Sequence, residues 1–151
     1  MPKETLAVIG SIHGNEPLGN KVCEYIAGSI EGVETIPGHP DALRARKRYL
    51  GSKGELGGQI PGNPDSNDPE ERQAFKLHSR LKEIDPWMAI DIHEAKHATH
   101  DFIAVAGEVA VSCLAIAEVL NIKKVLAFPP YPLLVYHPEV VEVEQVVDEG
   151  V

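Results

Sequence analysis

Two short segments of this chain carry side chains suited to binding a metal ion. Ser11-Ile-His13-Gly-Asn-Glu16-Pro-Leu-Gly19 contains His13 and Glu16 with two residues between them, and Asp91-Ile-His93-Glu94-Ala95 supplies a second imidazole far along the chain. Two histidines and a carboxylate are the set that holds a catalytic zinc while leaving a fourth position open. The spacing has a mechanical reading: a turn over two residues aims His13 and Glu16 at one point, and a distant strand brings His93 to it. Zinc in such a site lowers the pKa of water to about 7 and polarises a carbonyl, so the chemistry expected is metal-assisted hydrolysis. His93-Glu94-Ala95-Lys96-His97 is also a literal H-E-x-x-H, the metalloprotease pattern in which two histidines one helical turn apart bind zinc and Glu94 is the base. That alternative demands a helix, yet Trp87-Met-Ala-Ile-Asp-Ile92 just upstream has strand character, and His100 comes three rather than six residues after His97.

The elements needed to position these residues can be read from the pattern. Leu6 to Ile9 is an apolar run ending at Gly10, followed by the polar His13 loop and by Val22, Ile26 and Ile30 at helical spacing. Glu34 to Ile36 reads as a second short strand, and Asp41 is placed to cap a short helix through the basic run Arg44, Arg46, Lys47 and Arg48. From Gly51 to Asp68 the chain is rich in Gly, Pro, Asn and Asp without periodicity, a long loop of the kind that covers a site. Asp68 as N-cap, Pro69 behind it and Glu70-Glu71 in the first turn open a helix whose stripe is Phe75, Leu77, Leu81 and Ile84. Trp87 to Ile92 reads as a mostly buried strand that delivers His93 just beyond its end. Strands are further expected over Asp101 to Ala106 and Lys123 to Phe128, with a buried helix over Glu108 to Leu120 between them. Val140 to Val147 alternates Val with Glu, which sets Glu142 and Glu144 on one face of a strand. Strands alternating with helices predict an α/β sheet with helices on its faces, where ligands collect beyond the carboxyl ends of the strands.

Composition bounds the rest. The 151 residues match a single domain, 1–151, and 43% hydrophobic with 25% charged residues is ordinary globular usage. A net charge of −9 repels a phosphate backbone, so nucleic acid is not an expected partner. Cys23 and Cys113 stand far apart without a CxxC, which fits a reducing compartment and neither a thiolate zinc site nor a disulfide framework. The longest apolar stretch, Val109 to Leu120, is interrupted by Ser112 and Glu118 and is well short of the roughly 18–20 residues that cross a bilayer. With no basic stretch and apolar run at the start, a cytoplasmic protein without a membrane partner is expected.

The motifs also carry a family resemblance. Gly10-Ser-Ile-His13-Gly-Asn-Glu16-Pro-Leu-Gly19 resembles the first zinc motif of the succinylglutamate desuccinylase/aspartoacylase family, within the zinc carboxypeptidase superfamily, and Asp91-Ile-His93-Glu94 resembles its third-ligand strand. Between them, Gly38-His-Pro40-Asp-Ala42, Arg48-Tyr49 and Ile60-Pro61-Gly62 fall in the family's order, so the likeness covers about residues 6–95, with a fainter tail around Glu144. The resemblance implies a zinc hydrolase (Zn2+ as cofactor) that cleaves the amide of a small N-acyl amino acid. It implies a zinc carboxypeptidase-like α/β fold, a three-layer mixed sheet with helices on both faces. By the same resemblance His13, Glu16 and His93 are ligands, Arg48 is the arginine that polarises the amide carbonyl, and Glu144 is the general base, with Glu142 the neighbouring candidate.

Two departures shape the expectation. Where the family has Asp-Leu-Asn-Arg before Phe-Pro-Gly, this chain has Glu55-Leu56-Gly57-Gly58-Gln59-Ile60-Pro61-Gly62, without the Asn-Arg pair that grips a substrate carboxylate. Arg44, Lys53 and Lys96 are the substitutes within the sequence, and spacing does not choose among them. The chain also ends seven residues after Glu144, lacking a C-terminal β domain, which leaves a more open site or one covered by another subunit of a homo-oligomer. A third reading is then a non-catalytic metal-binding module that kept the ligand loop.

Overall fold

A computed structural model describes residues 5–94, 103–106, 111–122, 124–128 and 139–142, with side chains over 5–94 and 115–122. The chain divides into two compact units, Met1–Ala95 and Lys96–Val151.

The first unit is built on three parallel strands: β1 (Leu6–Gly10) lies between β2 (Val33–Pro37) and β3 (Met88–Ile92). Leu6 pairs with Val33 on one side and with Met88 on the other, and the register runs unbroken to Gly10. Parallel neighbours require crossovers, and helices α1 (Leu18–Ile26) and α3 (Pro69–Ile84) lie in those connections, with a short α2 (Pro40–Ala45) between. The central strand is covered on both faces, which its uninterrupted apolar run encodes: Ala7, Val8 and Ile9 are all buried. β3 differs from the expectation of a mostly buried strand, because it alternates half-buried and exposed residues and Trp87 is exposed. Among the described residues it pairs with β1 on one side only and so stands at an edge of this sheet.

The core joins Ala7, Ile9, Ile12 and Ile36 to Ala74 and Leu77 of α3, with Leu81 and Ile84 packed against them. Leu56, from a single 3₁₀ turn at Leu56–Gln59, completes it. Phe75, expected in the stripe, is instead exposed, one position off the buried face of Ala74 and Leu77. The Gly51–Asp68 segment is therefore a loop anchored by one fully buried leucine. Asp68 caps α3 as expected, accepting from the Glu70 amide at 2.8 Å. Its other oxygen accepts from the amides of Ser52 and Lys53, while Glu70 Oε1 accepts from the Leu50 amide at 2.7 Å. The start of α3 thus pins residues 50–53.

Helix boundaries depart from the pattern where backbone conformation intervenes. α1 stops at Ile26 because Gly28 turns left-handed, so Ile30 falls outside it and is exposed. α2 is capped by His39, whose Nδ1 accepts from the Ala42 amide, and Asp41 sits in the first turn rather than at the cap. Arg46, left-handed at φ 52°, ends α2, so Lys47 and Arg48 leave the helix altogether.

In the second unit β4 (Ile103–Ala106) and β5 (Lys124–Phe128) are parallel, connected through α4 (Val111–Val119), and β6 (Glu139–Glu142) runs antiparallel to β5 with Glu142 opposite Lys124. α4 ends at Val119, one residue before the expected Leu120, as Asn121 turns left-handed, and the expected start over residues 108–110 lies outside the described residues. Ala117 is buried, but Val119 and Leu120 are exposed. The expected continuation of the last strand through Glu144 to Val147 lies outside the described residues. Among the described residues no helix is long and apolar enough to cross a membrane.

Candidate metal centre

The loop that leaves β1 is shaped by its backbone before any ligand is placed. Ser11 is buried with φ 57°, a conformation that costs a non-glycine residue roughly 1–2 kcal/mol. Its hydroxyl offsets that cost by donating to the Glu16 carbonyl at 2.7 Å and accepting from the Asn20 amide at 3.0 Å. The turn so closed carries His13 and Glu16 inward, both buried. Gly14 is required by proximity: a Cβ there would stand 2.0 Å from the Ala42 carbonyl carbon. The Gly14 amide donates to the Arg48 carbonyl, tying the ligand loop to the segment that follows α2.

His13, Glu16 and His93 come together as the sequence proposed, with one ligand atom from each lying within 4.8 Å of the others. Glu16 is the hub. Its Oε1 lies 2.9 Å from His13 Nδ1 and its Oε2 lies 3.0 Å from His93 Nδ1, and the two rings are 4.9 Å apart at their centroids. Each imidazole therefore turns Nδ1 toward the shared carboxylate and Nε2 outward. Both outward nitrogens meet acids: His93 Nε2 lies 2.6 Å from Asp91 Oδ2, and His13 Nε2 lies 3.2 Å from Glu55 Oε2. A carboxylate on the far nitrogen is the arrangement that orients metal-ligating histidines and raises their basicity, so the residues present fit a divalent ion. A borderline ion such as zinc suits this nitrogen and oxygen set.

Glu55 is a member of the cluster that the sequence did not single out. The available signal was its place beside Leu56, an apolar residue in the Gly-rich stretch, which the fold buries completely. Arg48 joins the same group: its Nε donates to Glu55 Oε1 at 2.5 Å and its Nη1 to Glu16 Oε1 at 3.0 Å. The solvated helix face that a basic run suggests is excluded for Arg48, since α2 ends before it. Arg44 and Lys53 are engaged elsewhere, Arg44 with Asp41 and Lys53 with Glu71, and Lys96 lies outside the described residues.

Glu94 has a role different from that of a metalloprotease base. Neither His93 nor Glu94 is helical; Glu94 Oε2 accepts from the Leu18 amide at 2.8 Å, at the start of α1, and the Glu94 amide donates to Glu16 Oε2. α1 has no side-chain cap of its own, so Glu94 satisfies an otherwise unpaired amide there. His97 lies outside the described residues, as does Glu144; Glu142 ends β6.

Burial pushes the Glu16 carboxyl up, but the Glu94 amide and the two imidazoles outweigh it and hold it below the usual carboxylate range. Glu55 is lowered by its hydrogen bond to Arg48, whose guanidinium is correspondingly held charged. His93 is raised from 6.5 to about 9, chiefly by the hydrogen bond to Asp91, with burial opposing and Glu16 adding to the rise. A raised value stabilises the metal-free fold fully below pH 6.5, and that contribution is lost as pH climbs through about 9. The metal-free protein should therefore lose Tm relative to His93→Asn between these limits, and metal affinity should rise over the same window because the ion displaces the His93 proton. Thermal unfolding in chelator at stepped pH checks the first and chelator competition the second; a Tm difference that grows with pH contradicts the assignment.

No family model matches the chain, and no curated protein does. Solved structures do match in fold. A succinylglutamate desuccinylase/aspartoacylase from Rhodobacter sphaeroides aligns with TM-score 0.56 and 18% identity, over 80% of this chain and 39% of that one. The product-bound ectoine utilization protein EutE (DoeB) from Ruegeria pomeroyi aligns with TM-score 0.55 and 22% identity over the same shares. A succinylglutamate desuccinylase from Silicibacter aligns with TM-score 0.54 and 23% identity, over 76% of this chain and 37% of that one. The chain spans about two fifths of the length of each. At these identities the likeness is one of fold, and the succinylglutamate desuccinylase/aspartoacylase resemblance carried by the motifs is met in the backbone.

Proposed function

We propose that residues 1–151 form one catalytic domain of a zinc-dependent amidohydrolase, a deacylase acting on a small N-acyl amino acid or related amide, built on a three-layer carboxypeptidase-like fold. The observation that carries this reading is the convergence of His13 and Glu16 with His93 from a distant segment of the chain, with Glu55 and Asp91 behind the two imidazoles. Zinc, when bound, supplies Lewis-acid activation of water and of the scissile carbonyl.

The chain's own residues supply the rest. Arg48 has five N–H donors, of which Glu16 and Glu55 engage Nη1 and Nε, so the half-exposed remainder of the guanidinium is free to donate to the oxygen that gains charge as the amide is attacked. Glu144 is assigned the base: it takes a proton from water as the C–O bond forms and returns it to the amine as the C–N bond breaks. Glu55 is a positioning residue, tying Arg48 to His13. Glu55→Gln should keep the fold and weaken zinc about 10–100-fold, the usual effect of losing a carboxylate behind a ligating imidazole, as read by competition with a chromophoric chelator. Unchanged affinity would remove Glu55 from the site.

The reading is tested with a panel of N-acyl amino acids and amides. Hydrolysis that disappears on chelation and returns with zinc supports it. A folded, zinc-loaded protein inert toward the whole panel replaces it with the non-catalytic metal-binding module.

A further inference from the structure

Glu70 is fully buried, and no step of the proposed reaction uses it. Its Oε1 receives three N–H groups from two parts of the chain: His39 Nε2 at 2.9 Å, and the backbone amides of Leu50 at 2.7 Å and Gly51 at 3.4 Å. His39 is itself buried, and its Nδ1 accepts from the Ala42 amide, so the ring hydrogen sits on Nε2 and points at Glu70. Glu70 Oε2 is buried with no hydrogen-bond partner among the described residues. Every hydrogen bond to this carboxyl group therefore passes through one oxygen.

That oxygen joins the two ends of a loop. His39 stands at the entry, where the pairing of β1 with β2 runs on past Pro37: the Gly38 amide donates to the Gly10 carbonyl and the His39 amide to the Ser11 carbonyl. His39 is thus fixed to the backbone that begins the His13 turn. A Cβ on Gly38 would stand 2.7 Å from the Ile12 nitrogen, so the two backbones are in contact there. Leu50 and Gly51 stand at the exit. Between entry and exit α2 ends at the left-handed Arg46, and Arg48 comes two residues before the Leu50 amide. The Arg48 side chain is 43% exposed, so its place beside Glu16 depends on how its backbone is held. One hold is the long 3.4 Å bond from the Gly14 amide to the Arg48 carbonyl, and the other is the 2.7 Å bond from Leu50 to Glu70.

Resting on the amidohydrolase reading for its effect on rate, we propose that Glu70 and His39 are positioning residues: their buried bond closes the 39–50 loop and so sets the Arg48 guanidinium beside Glu16. Asp68 holds the amides of Ser52 and Lys53, nearer Glu55, so the two acids at the start of α3 secure different arms of the centre.

The test uses the full chain. Arg48 Nε–H, bonded to Glu55, gives a resonance in a nitrogen–proton correlation spectrum that is assigned by its loss in Arg48→Ala and needs neither metal nor turnover. It should shift to the position of a free arginine in Glu70→Ala. It should stay in Glu70→Gln, whose amide oxygen takes over the three N–H groups while its nitrogen falls at the unpartnered Oε2 position. It should also stay in Leu81→Ala, a truncation about three turns along the same helix. Where Glu70→Ala does not fold, Glu70→Asp takes its place, since it keeps the carboxylate but draws it back by one methylene from the loop ends. A catalytic donor displaced by about 1 Å costs up to about 10²-fold, so kcat at saturating zinc should fall about 10–10²-fold in Glu70→Ala. Because that loss acts through Arg48, adding Glu70→Ala to Arg48→Ala should lower kcat by no more than about twofold further. A folded Glu70→Ala or Glu70→Asp protein with an unmoved Arg48 resonance overturns the proposal and leaves the amidohydrolase reading to its own substrate panel. Losses in Glu70→Ala and Arg48→Ala that multiply also overturn it, because the effect on rate then bypasses Arg48. If the resonance moves as expected and no amide is cleaved, the amidohydrolase reading fails and the positioning of Arg48 stands.

Discussion

His13→Ala should abolish stoichiometric zinc loading, whereas His97→Ala should leave it intact. His13 is buried, sits 2.9 Å from Glu16 and is backed by Glu55, so its removal takes away a ligand atom and also leaves two carboxylates facing a cavity. Losing only the carboxylate behind such a histidine costs about 10–100-fold in metal affinity, so losing the imidazole should exceed the upper end of that range. Elemental analysis of the purified variants reads the outcome, with far-ultraviolet circular dichroism confirming the fold. Zinc retained in His13→Ala and lost in His97→Ala would move the ion to the H-E-x-x-H segment. The non-helical backbone of His93 and Glu94, and the engagement of Glu94 at the start of α1, argue against that result.

Arg48→Ala should lower kcat on any amide the protein hydrolyses by about 10²–10³, equivalent to about 2.7–4 kcal/mol of transition-state stabilisation, with zinc occupancy held at saturation. Saturation matters because Arg48 also holds Glu16, a proposed ligand, and Glu55, the acid behind His13. A variant that regains full activity once zinc is saturating would assign Arg48 to metal retention alone. Arg48→Lys should not rescue the rate, since the compact ammonium, although it has three donors, lacks the planar fork that reaches two separate carboxylates and the carbonyl oxygen at once. Steady-state kinetics over a zinc titration separates the two contributions.

The arrangement was legible in the sequence wherever local chemistry set it. The spacing of His13 and Glu16 after an apolar strand, the arrival of His93 just past another strand and the Asp68-Pro69 helix start all follow from backbone geometry within a few residues, and each is present in the fold. Composition alone could not locate Glu55. It sits in a Gly-rich loop with no periodicity, and its contact with His13 depends on burial of Leu56 against α3 and on Asp68 and Glu70 pinning residues 50–53. Arg48 was recognised by resemblance, but its delivery was not: a left-handed Arg46, invisible to charge patterning, ends α2 and turns the following residues toward Glu16.

By itself the sequence determined the element order of the first unit, the identity of the three candidate ligands and the acidic character of the chain, because hydrophobic period, capping residues and donor chemistry act over short separations. Only the tertiary structure decided that Glu55 and Asp91 stand behind the imidazoles, that Glu94 serves α1, and that Arg44 and Lys53 are committed elsewhere. The pairings of Glu55 with His13, Glu94 with Leu18 and Lys53 with Glu71 join residues distant in the chain, and they exist because three parallel strands and one anchored loop bring several charges into a space where each must find a partner.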